Sequence, residues 1–246
     1  MPSSRPALHR RAVGAAVLAA ATLGIVGILQ STTDARSPNE PPVRSDSFTV
    51  LGSPPTQRPE LSAPRDPLTG AEVGYAVHLA ATDASLPRSA TDVTGDNGAE
   101  VLTVELPAEV VPDRRLAVVG LYDYTAGQGY QQTVDLGSGQ VRSTRNLAEA
   151  KISADEARVA VQLAIDHDPA LTFTAEFQAA QGTPLVSADQ IGYAAGAFTF
   201  DGSTAGGDRC GAHRCAQLLL RLPNGTYLTT TDFVVDLSAR AVVRLR

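Results

Sequence analysis

The residues best able to do chemistry lie together in one short stretch, Cys210-Gly-Ala-His213-Arg-Cys215, which contains both cysteines of the chain. Two thiols this close in sequence can form a disulfide, the expected state outside the cytoplasm. If they stayed reduced, Cys210, Cys215 and His213 would form a soft ligand set suited to Cu(I). The sequence favours the disulfide, because exported thiols are rarely kept reduced, and leaves the metal site as the alternative.

Two other histidines have weaker claims to a metal. Asp166, His167 and Asp168 lie at the end of a predicted helix, where an imidazole near the free carbonyls and the helix dipole is a sufficient explanation. His78 lies on another predicted helix, and no second ligand accompanies it. We therefore predict no metal ion and no cofactor.

Three tyrosines, Tyr122, Tyr124 and Tyr130, flank the tip of a predicted hairpin. An aromatic patch at this place is a possible surface for a protein partner, and packing along the strands is the alternative. Asn224-Gly-Thr226 fits a glycosylation sequon, although Asn-Gly is also the strongest short signal for a tight hairpin turn. The chain has no nucleophile elbow, phosphate loop, zinc-protease helix or dinucleotide fingerprint, so we predict no catalytic residues and no enzyme activity.

A repeated unit positions these residues. Thr69-Gly-Ala-Glu72 and Ser153-Ala-Asp-Glu156 each match a capping box, and apolar residues at helical spacing follow both. Each helix leads to a hairpin that ends in Val-Asp-Leu, at 134–136 and at 235–237. The offset between the copies is 84 residues at the helix start and 101 at Val-Asp-Leu. We place the extra residues of the second copy at 182–209.

Alternating apolar and polar residues predict the strands that follow each helix. The sequence therefore predicts an α+β fold of two tandem units, each with one helix packed on an antiparallel sheet of about four strands. The predicted strands are 101–106, 116–124, 130–136 and a short one from Val141 in the first unit, and Leu171–Phe177, 190–200, 215–222, 227–237 and 242–245 in the second.

The N-terminus has the composition of an export signal at residues 1–35. Arg5, Arg10 and Arg11 precede the uncharged stretch 12–29, and small residues end the segment at Ala35. An ordinary secretory signal, a twin-arginine signal and an uncleaved anchor formed by residues 12–29 all fit, and each places the rest of the chain outside the cytoplasm. A Pro-rich disordered linker is predicted at 36–64, the first unit at 65–147, and the second unit with the disulfide loop at 148–246.

The charge of the chain limits its partners. The formal net charge is -6, and no arginine-rich stripe with interleaved aromatic residues occurs. Nucleic acid is excluded as a partner on this basis, because phosphate binding requires clustered cations. We expect an unknown protein partner outside the cytoplasm, and contact with a membrane only through an uncleaved signal.

Part of the first unit resembles a known family. Asp66-Pro-Leu-Thr69-Gly-Ala-Glu72-Val is similar to the Asp-Pro-Leu-Thr/Ser-x-x-Glu-Ile opening of the N-terminal domains of copper amine oxidases. The stretches 115–124 and 134–141 are similar to the hairpin that closes such a domain. The resemblance covers about residues 65–178 and implies cystatin-like α+β units, which precede a large catalytic domain in those enzymes.

The resemblance implies a fold and not the activity of that family. Its quinone cofactor comes from a tyrosine after an asparagine, and none of the six tyrosines here follows one. Its copper needs three histidines, and His9, one of the four here, lies in the export signal. The helix and the hairpin ending in Val-Asp-x-x-x-Gly-x-Val also resemble PepSY modules of protease propeptides and secreted regulators.

Four hypotheses for function follow. The first is an exported, non-catalytic binding or regulatory protein. The second is an accessory or relic component of a copper amine oxidase system. The third is a PepSY-like protease inhibitor or propeptide-type regulator, and the fourth is an enzyme of unrecognised type.

Overall fold

The computed structural model describes residues 55–147, 150–167 and 171–246. The export signal predicted at 1–35 and most of the predicted linker lie outside these ranges. The elements within them are α1 (Gly70–Ala81), β1 (Glu100–Glu105), β2 (Leu116–Asp123), β3 (Gln128–Asp135), β4 (Gln140–Asn146), α2 (Ala154–His167), α3 (Thr172–Gln181), β5 (Gly192–Phe198), β6 (Cys215–Arg221), β7 (Phe233–Asp236) and β8 (Ala241–Arg244).

The first unit consists of α1 packed on one face of the antiparallel sheet β1-β2-β3-β4. The helix begins where the sequence predicts, because Oγ1 of Thr69 accepts the N–H of Glu72 and the Glu72 carboxylate accepts the N–H of Thr69. Small and β-branched side chains of the helix and the sheet form the core, among them Ala76, Ala80 and Val119.

The second unit repeats this arrangement with α2 packed on the antiparallel sheet β5-β6-β7-β8. The predicted α+β fold with two tandem helix-on-sheet units is therefore confirmed. Its core is larger than that of the first unit and includes Phe173, Phe177 and Phe233. The rings of Phe173 and Phe233 stack with their centroids 5.6 Å apart.

The strand predicted at Leu171–Phe177 is wrong, because this segment forms α3. Phe173 and Phe177 share one face in a strand and also, at a spacing of four residues, in a helix, so alternation alone did not separate the two. The helix continues to Gln181 and ends at Gly182, whose φ of 71° is the left-handed conformation that terminates helices. Both phenylalanine side chains are buried, as either pattern requires.

The extra residues of the second copy do not form a single insertion at 182–209. The offset between corresponding positions is 91 residues at Val104 and Ala195, and 99 residues at Arg115 and Arg214. The segment that contains α3 therefore takes one share, and the loop between β5 and β6 takes another. The hairpin between β6 and β7 accounts for the rest.

The end of the predicted linker contacts the first unit. Leu61 packs against the first core, and the N–H of Ser62 donates to the carboxylate of Glu72. None of the helices in the described ranges has the length and apolar character needed to cross a bilayer. The alternative of an anchor at residues 12–29 lies outside the described residues.

Candidate functional site

Each unit contains a buried ion pair between a helix and a strand. In the first unit Nε of Arg115 donates to Oε1 of Glu72 (2.7 Å) and Nη2 donates to Oε2 (2.8 Å). In the second unit Arg214 makes the same two contacts with Glu156, and the Nη2 contact measures 2.7 Å. Removing one partner from such a pair leaves an uncompensated buried charge. These four side chains therefore hold the fold together.

The two arginines also hold the chain that enters each helix. Nη1 of Arg115 donates to the carbonyls of Ala63 (2.8 Å) and Asp66 (2.7 Å). Arg214 donates in the same way to the carbonyls of Ala150 (3.1 Å) and Lys151 (2.6 Å). Each guanidinium thus joins the start of a strand, a helix N-terminus and the segment that precedes the helix.

The pKa of Glu72 shows how strongly its pair is held. The hydrogen bond from Arg115 lowers the pKa of this carboxyl to about 2, and the N–H groups of Thr69 and Ser62 add to the effect. Burial alone would raise this pKa, so the three donors outweigh the loss of water. Glu72 is therefore ionised at every pH above strong acid.

The ion pair of the second unit is completed by the first unit. The phenol of Tyr124 donates to Oε1 of Glu156 (2.6 Å), and the guanidinium of Arg214 lies 4.7 Å from the ring centroid of Tyr122. Tyr122 and Tyr124 also contact each other edge to face. The contact surface between the units, which we call the seam, is therefore built around the second ion pair.

The predicted aromatic patch lies largely in this seam. Tyr122 is 8 % exposed, and Tyr124 packs against the core of the second unit. Burial and the carboxylate of Glu156 raise the pKa of Tyr124, so its phenol remains a donor. Tyr130 packs against the core of the first unit. Tyr122 and Tyr124 thus contact the sister unit rather than solvent.

A second carboxyl group, that of Glu100, is buried in the seam. Its Oε1 accepts the hydroxyl of Ser153 (2.7 Å), and its Oε2 accepts the N–H of Val93 at 3.3 Å. Burial raises the pKa of Glu100 to about 7, the hydrogen bond from Ser153 opposes this, and the charge of Glu156 adds to the rise. Glu100 therefore carries a proton in mildly acidic solution.

Cys210 and Cys215 form the predicted disulfide, with their Cα atoms 5.5 Å apart. In this state neither sulfur is a thiolate, so the Cu(I) alternative would need prior reduction. His213 lies between the two cysteines, and its Nδ1 is 2.7 Å from Oδ2 of the buried Asp236. The disulfide packs with Val234 in a small apolar cluster on the face of the second sheet opposite α2.

The other two predicted histidine positions are separate from this loop. His78 and His167 lie in the last turns of α1 and α2. Asp168 lies outside the described residues. Within the described ranges no group of three or more His, Cys, Asp or Glu side chains is arranged to hold a metal ion.

A surface site that the sequence did not predict is an open cleft of about 510 Å³ at the edge of the first sheet. Its charged lining includes Arg114, Arg142 and Asp135. Nε and Nη2 of Arg142 donate to Oδ2 of Asp135 (3.1 and 2.6 Å), and Nη1 of Arg114 lies 3.6 Å from the same oxygen. The two guanidinium side chains are 42 % and 47 % exposed. One carboxylate thus holds two half-exposed cations at the mouth of the cleft, which we call the arginine cleft.

Two backbone features direct side chains to the arginine cleft. Val134 pairs with Val141 and Thr133 pairs with Ser143, so Arg142 is the unpaired residue of a β-bulge. A bulge changes the direction of a side chain on an edge strand, and here it brings Arg142 to Asp135. Asp113 on the cleft lining has φ 59°, which is uncommon for a residue other than glycine.

The equivalent corner of the second unit has different side chains and a different strand register. At the offset of 99 residues His213 takes the place of Arg114, and it contacts Asp236 as Arg114 contacts Asp135. The pairing of β7 with β8 is regular and contains no bulge. The disulfide loop also lies on this side of the second unit.

The chain has little detectable similarity to known proteins. No family model matches the chain, and no curated protein matches it. The structure is similar to that of a copper-containing benzylamine oxidase from Hansenula polymorpha, with a TM-score of 0.37 and 11 % sequence identity. The match covers 75 % of this chain and 30 % of that one. A copper amine oxidase is thus a weak structural neighbour, and a likeness of this size assigns neither a family nor an activity.

Proposed function

We propose that this chain works outside the cytoplasm as a non-catalytic binding or regulatory protein, and that the arginine cleft takes its ligand. The observation that carries the proposal is the pair of half-exposed guanidinium groups held on Asp135. The guanidinium groups of Arg115 and Arg214 are paired with buried carboxylates. Those of Arg114 and Arg142 are half-exposed and present N–H donors to solvent. Donor groups that face solvent at an open cleft are available to bind a ligand.

Two further features support the extracytoplasmic setting and a role in binding. The disulfide between Cys210 and Cys215 is a bond that persists in oxidising compartments. The seam joins the two units through Tyr124, Glu156 and Arg214, so the unit that contains the cleft is packed against the second unit. Sites built on packed strands and helices hold their donors more precisely than sites on loops.

The test is crosslinked capture of ligands from the culture of the source organism, read by mass spectrometry. The double variant Arg114→Gln/Arg142→Gln is compared with the wild type, and Arg145→Gln is the matched control. Arg145 lies on the same strand but donates to Gln131, away from the cleft. We expect the double variant to lose a ligand that the control retains.

The outcomes separate the hypotheses. Equal capture by the wild type and the double variant would refute the arginine cleft as the binding site. Recovery of a ligand in covalently changed form, dependent on the protein, would refute the non-catalytic role. A captured amine oxidase would favour the accessory role, and a captured protease would favour the inhibitor role.

A further inference from the structure

We infer that the arginine cleft recognises an oxyanion, a carboxylate or a phosphate group, through the guanidinium groups of Arg142 and Arg114. This inference deepens the proposed function and rests on it for the identity of the site. It is drawn from the donors that the two arginines leave unused, from the state of Asp135 and from the contrast with the second unit.

The two arginines leave several N–H donors unused. A guanidinium carries five N–H groups in a planar fork. Arg142 directs Nε and Nη2 to Asp135, and in the described part of the chain no hydrogen bond engages its Nη1. Among the residues that the structure describes, the side chain of Arg114 makes one contact of this kind, a 3.6 Å ion pair with the same carboxylate. Several donors with fixed positions therefore remain for one acceptor group in the cleft.

Asp135 would repel an anion if its negative charge faced the cleft without donors to compensate it. Its Oδ1 accepts the N–H groups of Gly137 and Ser138 (3.1 Å each), and its Oδ2 accepts Arg142. Burial would raise the pKa of Asp135, but these donors outweigh it and lower the pKa. Asp135 is thus a buried, fully bonded anchor, and the surplus positive charge of the two arginines faces the cleft.

Asp113 also lines the cleft, and its negative charge reduces the net positive charge that the two arginines give the cleft. The guanidinium of Arg58 lies beside the lining, because its Nη1 donates to the carbonyl of the lining residue Gly137 at 2.7 Å. Planar forks of this kind bind carboxylate and phosphate oxygens in pairs, which a lysine ammonium cannot do. The geometry therefore suits a single oxyanion group better than a cationic or apolar ligand.

The second unit supplies an internal contrast. It keeps the anchor as Asp236 and has an imidazole, His213, in place of Arg114. The regular pairing of β7 and β8 sends no arginine to this position. Within the described ranges, the bulge and the two guanidinium groups occur at this position in the first unit and not in the second, although the frame around them is repeated.

The experiment measures binding of inorganic phosphate and of succinate to the ¹⁵N-labelled full chain by the side-chain Nε–Hε signals of its arginines. Sodium chloride at matched ionic strength is the reference. We expect saturable shifts at Arg142 and Arg114 and none at Arg145. Arg142→Gln should weaken binding at least about tenfold, whereas Arg145→Gln should leave it unchanged. The backbone donors still hold Asp135 in Arg142→Gln, and an unchanged circular dichroism spectrum confirms the fold.

The two probes distinguish the sources of the oxyanion. Shifts with phosphate alone support a phosphorylated ligand, and shifts with succinate alone support a carboxylate ligand. Shifts that chloride reproduces, or that appear equally at Arg145, overturn the inference. If capture from culture depends on Arg142 but neither anion binds, the inference fails while the proposed function stands. If an anion binds at Arg142 but capture does not depend on this residue, the proposed function fails and the oxyanion site stands.

Discussion

Replacing Glu100 with glutamine tests the seam most directly. The seam raises the pKa of this buried carboxyl from 4.5 to about 7. Between these two pH values the folded protein holds a proton that the unfolded chain has released. The free energy of unfolding therefore falls as pH rises through this window, and above pH 7 ionised Glu100 costs about 3 kcal/mol.

The glutamine variant removes this cost and introduces a smaller one. Its carbonyl oxygen can still accept the hydroxyl of Ser153, but its amide cannot accept the N–H of Val93, a loss of about 1 kcal/mol. We therefore expect Glu100→Gln to be less stable than the wild type by about 1 kcal/mol at pH 4.5. At pH 8.5 we expect it to be more stable by about 2 kcal/mol.

Urea denaturation at both pH values measures these differences, with the slope m used to check two-state behaviour. Glu105→Gln is the matched control, because Glu105 lies on the same strand and its side chain is 54 % exposed. We expect this control to change stability by less than about 0.5 kcal/mol at either pH. A Glu100→Gln variant with the same dependence on pH as the wild type would refute the account of the seam.

Three other substitutions address features described above. Arg115→Met leaves Glu72 charged and unpaired in the interior, so it should cost about 3–5 kcal/mol in thermal unfolding. If the unpaired charge causes this cost, the double variant Glu72→Gln/Arg115→Met should lose less stability than Arg115→Met alone. Tyr124→Phe removes the hydrogen bond to Glu156 and should cost about 1–3 kcal/mol. An unchanged unfolding midpoint would mean that the seam does not depend on this bond. Replacing both cysteines with alanine should cost about 2 kcal/mol, because the loop they close is short.

The sequence predicted the parts of the fold that depend on local signals. The capping boxes at Thr69 and Ser153 placed the helix starts, and the Val-Asp-Leu stretches placed the ends of the hairpins. The helix α3 was missed because Phe173 and Phe177 satisfy two periodicities at once. The length of the uninterrupted segment up to Gly182 was the signal that favoured a helix.

The sites depended on contacts that local patterns do not encode. Glu72 and Glu156 appeared only as capping residues, although an arginine directly before both β2 and β6 was a signal for their partners. The bulge at Arg142 leaves no mark in the sequence, because it arises from the register of β4 against β3. Tyr122 and Tyr124 were predicted to form either a partner surface or packing along the strands. Neither alternative included the sister unit, because one unit viewed alone does not reveal what covers it.

Each buried glutamate accepts one hydrogen bond from the part of the chain that precedes its own unit. In the second unit the donor is the phenol of Tyr124 from the preceding unit, and in the first unit it is the N–H of Ser62 from the preceding segment. A short segment thus supplies to the glutamate of the first unit the hydrogen bond that a whole unit supplies to the glutamate of the second. In the terms used for repeat proteins, residues 61–67 act as a cap on the first unit. Arg221 and Pro223 stand 99 residues after Tyr122 and Tyr124, so the second hairpin lacks the tyrosines with which the first hairpin contacts the unit that follows it.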